Sequence, residues 1–321
     1  MQTRLEAEVE NFSINIESLK KKFFVKKEAE FAFVVSKQKL EKNPVVDLTI
    51  MAVTHGNELA GIAVINRLIE HLLDHEDFLS FNLGLVLANT PASFADVRFR
   101  EKDLNRSFDF KGESEAYEVT RAKELEPMLE RSKLLVDIHQ TIEASDSGFF
   151  IFPFSKGSFE LAHALCPSLP IVTHWGAGFS KDGKCTDEYV NEKGGIGLTL
   201  ELGQKGFDLY QESLGFSVVM KAFSIVEKGL PEISSIKRGD VFSWSHIEPY
   251  PEGNVELLSG LVNFQKIEKN QLIYKLNGEE KCSPVSGILL FPKYISKGAA
   301  RPKELYRIMK SIDMKEIIDL I

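Results

Sequence analysis

Short runs of β-branched and other apolar residues alternate, over the first 230 positions, with stretches whose apolar side chains recur every three or four residues. Runs of the first kind are typical of buried strands, and spacing of the second kind is typical of amphipathic helices. Strands are predicted at residues 31–35, 45–53, 83–88, 134–138, 149–154, 171–173 and 196–202, and helices at 59–73, 114–131 and 207–228. This alternation indicates an α/β fold with a doubly wound sheet that is largely parallel or mixed.

The pattern changes after Gly229-Leu230-Pro231. From there to about residue 294 only short strand-like runs occur, separated by Gly, Asn and Pro, at 241–242, 255–258, 261–264, 272–276 and 287–291. We therefore predict two domains, an α/β domain over residues 1–230 and a small β-rich domain over residues 231–321.

The charge balance narrows the choice of partners. The chain has 321 residues, 39 Lys and Arg against 47 Asp and Glu, and a formal charge of −8. This excess of acid argues against nucleic acid or an anionic membrane as a partner, and no uncharged apolar stretch approaches the roughly 18 residues of a membrane span. The first ten residues lack the apolar core of a secretory signal, and three scattered cysteines do not make a disulfide framework. We expect a reducing, cytoplasmic setting.

Two histidines follow predicted strands. His55 and Glu58 form an H-x-x-E pair after the strand at 45–53, and His139 follows the strand at 134–138. Because ligands collect at the carboxyl ends of strands in open α/β sheets, these groups could face one zinc ion. Asp137, two residues before His139, points the same way in a strand and suits the orienting of a ligating imidazole. For His55 and Glu58 the alternative is a chance pair on the surface. For Asp137 and His139 it is a pair that only stabilises the end of a strand.

Two further features suit hydrolysis of a polar substrate. Glu201 lies in the apolar run 195–203, where a carboxylate must be paired, protonated or at a strand end, and a general base of raised pKa has this character. The loop 98–106 carries three arginines and an asparagine, which suit an anionic ligand. A structural salt bridge for Glu201 and a solvated charged loop are the alternatives.

Together these segments resemble the succinylglutamate desuccinylase/aspartoacylase family, relatives of the zinc carboxypeptidases. The matching stretches occur in the order of the family and are His55–Gly61, Arg98 with Asp103–Arg106, Tyr117–Val119 with Arg121-Ala122, Asp137–His139 and Leu200–Gly203. The β-rich end of the chain also resembles the second domain of that family. The resemblance implies a sheet of zinc-carboxypeptidase type and covers nearly the whole chain.

The resemblance also implies roles. His55, Glu58 and His139 would bind one zinc ion per chain, and Glu201 would take a proton from water and return it to the leaving amine. Arg98 would stabilise the developing oxyanion, while Asn105 and Arg106 would bind a substrate carboxylate. The implied reaction is hydrolysis of an N-acyl amino acid carrying a carboxylate to a carboxylate and a free amino acid. A homo-oligomer stays open.

The sequence departs from the family in two places. Members of known substrate carry an arginine about ten residues before the catalytic glutamate, where this chain has Asn191, and a closing tyrosine in the second domain, for which Tyr294 is the nearest candidate. Two alternative functions therefore stay open. One is a metallocarboxypeptidase acting on a short peptide, such as one from a cell wall, and the other is a non-catalytic module that binds metal or carboxylates.

Overall fold

The computed structural model describes residues 2–174, 182–231, 240–295, 301–313 and 316–317. Its helices are α1 (Arg4–Leu19), α2 (Ala60–Asp74), α3 (Thr90–Phe94), α4 (Tyr117–Leu129), α5 (Lys156–Leu165), α6 (Thr186–Glu192) and α7 (Leu209–Lys228). Its strands are β1 (Phe24–Ala29), β2 (Ala32–Ser36), β3 (Val46–Ala52), β4 (Leu83–Leu87), β5 (Ser132–Thr141), β6 (Phe149–Pro153), β7 (Ile171–His174), β8 (Ile196–Gln204), β9 (Val241–Pro249), β10 (Val255–Leu257), β11 (Lys266–Ile267), β12 (Leu272–Leu276), β13 (Glu279–Cys282), β14 (Gly287–Leu290) and β15 (Glu304–Ser311).

A mixed sheet of twelve strands organises the molecule, in the order β1-β2-β4-β3-β5-β8-β6-β7-β9-β15-β14-β11. Its centre, β4-β3-β5-β8, is parallel, and β6 joins β8 in the antiparallel sense. A second sheet contains β10, β12 and β13. The expected α/β class with a β-rich C-terminal region is confirmed. The division at residue 230 stays a prediction, although β9 pairs directly with β7 across that point.

Helices cover both faces of the central strands. Apolar side chains of α1, α2, α5 and α7 share one core with Leu48 and Ile50 of β3, whereas those of α4 and α6 share another with Met51 of the same strand. Side chains of a strand alternate between its two faces, so one run of β-branched and apolar residues supplies both cores. This double cover explains why the central strands read as continuous apolar runs.

Three differences from the predicted elements have local causes. Helix α1 was not predicted, yet Val9, Phe12, Ile16 and Leu19 form its buried stripe, and a capping box at Thr3 starts it. The predicted strand at 261–264 is absent, because Phe264 has a φ of +69° and the chain turns before β11. Strand β15 was also missed, since its pairing with β9 shifts register twice and thereby breaks the period-two pattern.

Candidate active site

The candidate site lies at the carboxyl ends of three neighbouring parallel strands. His55 and Glu58 follow β3, His139 lies near the end of β5, and Glu201 of β8 stands beside His139 in the pairing register. The chain leaves β3 sharply, because Val53 has a φ of +51°, a strained value for a β-branched residue. Strand order therefore brings together residues separated by up to 146 positions.

The three predicted metal ligands converge. Nδ1 of His55 lies 2.8 Å from Oε1 of Glu58, Nδ1 of His139 lies 2.9 Å from Oε2 of Glu58, and the two Nδ1 atoms are 3.1 Å apart. All three residues are buried, and their donor atoms lie within 4.8 Å of one another. Ligand atoms of a tetrahedral zinc ion are about 3.3–3.6 Å apart. The donor set therefore fits one divalent ion after a small outward movement.

Each imidazole is held from behind by a carboxylate. Nε2 of His139 lies 2.9 Å from Oδ2 of Asp137, and Nε2 of His55 lies 3.1 Å from Oδ1 of Asp103. Asp137 is fixed in turn by the hydroxyls of Thr54 and Thr186, which donate at 2.9 and 2.6 Å. With Nε2 protonated and bonded to a carboxylate, Nδ1 is the nitrogen that each imidazole turns toward the cluster and could offer to a metal ion.

The partner of His55 was not assigned from sequence. Asp103 belongs to the D-L-N-R stretch and also accepts from the backbone N–H of Asn105, which fixes its carboxylate in the turn Leu104–Arg106. Burial would raise the pKa of Asp103, but the charges of His55 and Arg98 hold it well below its usual range. Asp103 could have been sought from the sequence, because a metal-binding imidazole needs a hydrogen-bond partner on its second nitrogen.

Electrostatics within the cluster favour the charged forms. Burial would raise the pKa of Glu58, yet His55 and His139 hold it well below its usual range. Burial would likewise lower the pKa of His139, but Asp137 and Glu58 raise it well above the ordinary value. The backbone N–H of Gln140 donates to Glu58 at 3.0 Å and fixes the carboxylate. The cluster therefore combines buried negative charge with imidazoles, and binding of a cation would displace protons from it.

Glu201 lines the same cavity and has a buried carboxylate oxygen without a partner. The residue is 8 % exposed, and no described group forms a hydrogen bond with its Oε2. Burial and the neighbouring charge of Glu58 raise the pKa of Glu201 to about 8. A buried carboxylate without a partner is costly and is found mainly where function requires it.

The predicted loop residues reach the cavity as well. Arg98 lies 3.4 Å from both Glu58 and Asp103, through different guanidinium nitrogens. The side-chain oxygen of Asn105 accepts from the backbone N–H of Thr186 at 3.0 Å, and no described residue accepts from its Nδ2. Arg106 donates to the carbonyl of Asn105 and to Sγ of Cys185. All three line the cavity together with His55, Glu58 and His139.

The two departures from the family pattern do not face this cavity. Asn191 lies on α6, where its side chain accepts from the backbone N–H of Gly197 at 2.8 Å and donates to Ser158 at 3.1 Å. Tyr294 donates its hydroxyl to the carbonyl of Leu258 and accepts from Leu261 N–H, within the β-rich region. Neither residue lines the cavity.

Other residues of the cavity were not predicted. They come from the end of β5 and the residue after it, from β6 and β8, from α6 and its N-terminal loop, and from the β-rich region: Gln140, Thr141, Ile142, Ile151, Cys185, Asp187, Thr199, Phe291, Lys293, Glu304 and Arg307. Burial and Glu188 raise the pKa of Asp187 to about 7. No local pattern marks the four residues of the β-rich region, because that region reaches the cavity through long connections.

Comparison with known proteins assigns the family. Residues 44–220 match the model of the succinylglutamate desuccinylase/aspartoacylase catalytic domain, which is more than half of the chain. The chain belongs to the succinylglutamate desuccinylase/aspartoacylase family. The resemblance stated from the sequence is thereby confirmed. Because the matching model describes a catalytic domain and the curated relatives are amide-hydrolysing enzymes, the chain is an enzyme of the deacylase class.

Relatives of the chain in this family are named for two activities. The chain is 24 % identical over 303 residues to an N-acyl-aromatic-L-amino acid amidohydrolase of Xenopus laevis, covering 82 % of this chain and 93 % of the relative. It is 27 % identical over 265 residues to a succinylglutamate desuccinylase of Serratia proteamaculans, covering 76 % and 79 %. Both substrates of these relatives are N-acyl amino acids by name.

Solved structures share the fold. A succinylglutamate desuccinylase from Chromobacterium violaceum superposes with a TM-score of 0.69 at 17 % identity, covering 93 % of this chain and 98 % of that one. Murine aminoacylase 3 superposes with a TM-score of 0.62 at 21 % identity, covering 85 % and 97 %.

Within the described residues, no helix combines the length and apolarity needed to cross a membrane.

Proposed function

We propose that this protein is a zinc-dependent deacylase that hydrolyses the amide bond of an N-acyl amino acid to a carboxylate and a free amino acid. The observation that carries the proposal is the convergence of His55, Glu58 and His139 beside the unpaired oxygen of Glu201. The names of the amphibian and bacterial relatives, both hydrolases of N-acyl amino acids, support N-acyl amino acids as the substrate class.

The metal would be held by His55, Glu58 and His139. Two imidazoles and one carboxylate are a ligand set of catalytic zinc, which leaves further coordination positions to water and substrate. When bound, the ion would supply Lewis acidity to the water and to the scissile carbonyl. The carboxylates of Asp103 and Asp137 hold both imidazoles in the tautomer that exposes Nδ1.

Glu201 would act as the general base and then as the general acid. Its carboxylate, which lines the cavity, can accept a proton from the attacking water and later give that proton to the departing amine nitrogen. A pKa raised to about 8 by burial and by Glu58 keeps the carboxyl group able to do both near neutral pH.

The arginines would bind the charged parts of the substrate. Arg98 carries N–H donors beside Glu58, where they can stabilise the negative charge that develops on the carbonyl oxygen. Arg106, fixed by the Asn105 carbonyl and Cys185, and the Nδ2 amide of Asn105 would bind the carboxylate of the amino acid.

Metal analysis combined with a substrate panel tests the proposal. The purified protein, loaded with zinc, is expected to hold one ion per chain and to release amino acid from N-acyl amino acids, with loss of activity on chelation. The Glu201→Gln variant should bind zinc normally and lose at least about 100-fold in kcat. Substantial turnover by that variant would overturn the role of Glu201. Cleavage of dipeptides in preference to acylated amino acids would instead indicate a carboxypeptidase.

A further inference from the structure

Lys293 is a cation of the cavity for which the described residues supply no hydrogen bond or ion pair; the ammonium lies 5.1 Å from the centroid of the Phe291 ring. It follows β14 in the β-rich region, and its side chain lines the cavity beside the residues of the proposed site. Within the described ranges, its ammonium forms no hydrogen bond, and neither Glu201 nor Glu304 comes within the 4.0 Å of an ion pair. Burial lowers the pKa of Lys293 to about 8, and Arg98 and Arg307 add to this effect.

The other cations of the cavity are already engaged. Arg98 contacts Glu58 and Asp103, and Arg106 donates to Cys185. Arg307 forms three hydrogen bonds of 2.8–3.0 Å with the carboxylate of Glu304 and stacks over Trp244. The carboxylates of Glu304 and Glu201 offset the repulsion from Arg98 and Arg307 only in part, because the pKa of Lys293 stays lowered, so a bound anion would stabilise its ammonium.

The backbone around Lys293 is firmly placed. Its N–H donates to the carbonyl of Leu305 at 2.9 Å, and the N–H of Phe291 donates to Oδ1 of Asn263 at 2.7 Å. Asn263 is fully buried, and its Nδ2 donates to the carbonyls of Glu143 and Ala144, which follow β5. The segment that carries Lys293 is therefore tied to the same strand end that supplies His139.

We propose that Lys293 binds a second carboxylate of the substrate, so that the enzyme selects N-acyl amino acids carrying one carboxylate beyond that of the amino acid backbone. The inference rests on the proposed function and names its substrate class. Lys293 would supply a cation to the cavity that Asn191, which lies on α6 outside the cavity, does not supply. The second carboxylate has two sources, the acyl group or the amino-acid side chain.

Matched substrate pairs test the proposal and distinguish these sources. The zinc-loaded full chain is assayed with N-succinyl against N-butyryl derivatives of one amino acid, and with N-acetyl-L-glutamate against N-acetyl-L-glutamine. In one pair the carboxylated member should have the higher kcat/KM, and Lys293→Met should reduce that ratio about 10- to 100-fold. Lys293→Arg should retain most of the ratio, and Lys269→Met, at an exposed position outside the cavity lining, should leave it unchanged. The pair that responds identifies the source.

Several results would overturn the role of Lys293. These are an absence of preference in both pairs, a ratio unchanged by Lys293→Met, or a ratio equally reduced by Lys269→Met. Lys293→Gln is measured in parallel, so that the proposal stays testable if the methionine variant does not fold.

A binding experiment separates this proposal from the proposed function. Calorimetry measures succinate against butyrate, and L-glutamate against L-glutamine, on the zinc-loaded protein. If no amide is hydrolysed, the deacylase proposal fails, yet a dianion preference that Lys293→Met removes would still support the anion site. Equal weakening of both members of each pair would contradict it.

Discussion

Replacing Asp103 by asparagine changes one atom of the support behind His55. In the wild-type protein the Asp103 carboxylate can only accept from Nε2 of His55, at 3.1 Å, and this bond favours the tautomer in which Nδ1 carries no proton when a metal is bound. An amide at this position can donate an N–H to Nε2 instead. The imidazole would then carry its proton on Nδ1, the atom that has to bind the metal.

The expected loss can be derived from this change of tautomer. Removing the carboxylate partner of a metal-binding histidine typically costs 10- to 100-fold in metal affinity, about 1.4–2.7 kcal/mol. We expect a loss in this range for zinc, because His139 and Glu58 keep their own contacts with Asp137 and Gln140. Competition with a chromophoric chelator at fixed pH measures the dissociation constant.

A matched control lies in the same segment. Asp96 is exposed and has a φ of +50°, a conformation that asparagine tolerates, so Asp96→Asn makes the same chemical change without touching the site. The control should bind zinc as the wild-type protein does. A dissociation constant for Asp103→Asn within twofold of wild type, in a folded protein, would refute the reasoning that Asp103 sets the tautomer of His55.

Three further predictions concern protons, substrate and packing. Because Asp137 and Glu58 raise the pKa of His139 despite its burial, zinc uptake near neutral pH should release protons, and zinc affinity should fall as the pH falls. Calorimetry in buffers of different ionisation enthalpy measures the released protons. Zinc uptake without proton release would contradict this prediction. The same raised pKa means that the charged imidazole stabilises the metal-free fold below pH 6.5, and that this stability is lost as the pH rises through the folded-state pKa. Arg106→Ala should raise KM more than it lowers kcat, if the guanidinium binds ground and transition states alike; steady-state kinetics showing a loss in kcat alone would count against this role. Gly56→Ala should destabilise the protein by about 1–3 kcal/mol in denaturant unfolding, since the added Cβ would stand 2.3 Å from the Ala92 carbonyl carbon; an unchanged midpoint would mean that this contact can relax.

The sequence was sufficient for features that depend on local pattern and strand order. The apolar runs of β3, β5 and β8 predicted buried strands, and polar residues at their carboxyl ends necessarily met at one sheet edge. His55, Glu58, His139 and Glu201 lie together for this reason. The apolar stripe of α1 is also present in the sequence, but the many charged residues between its positions hide the pattern.

Features that depend on long-range packing could not be read in this way. Lys293, Glu304 and Arg307 reach the cavity because β9 and β15 extend the main sheet, and β15 has shifted register. Counting positions along the chain did not show which way Asn191 points, since α6 turns that side chain toward Ser158 and Gly197. Spacing in sequence fixes the side of a strand, but it does not fix which way a connecting helix faces.

X-ray absorption at the zinc edge of the loaded protein tests the central claim most directly. Coordination by His55, Glu58 and His139 predicts nitrogen and oxygen neighbours at about 2.0–2.2 Å, with the outer-shell signature of two imidazoles. Sulfur at about 2.3 Å would place Cys185 on the ion, and oxygen neighbours alone would place it outside the histidine pair. Either of those spectra would contradict the proposed site.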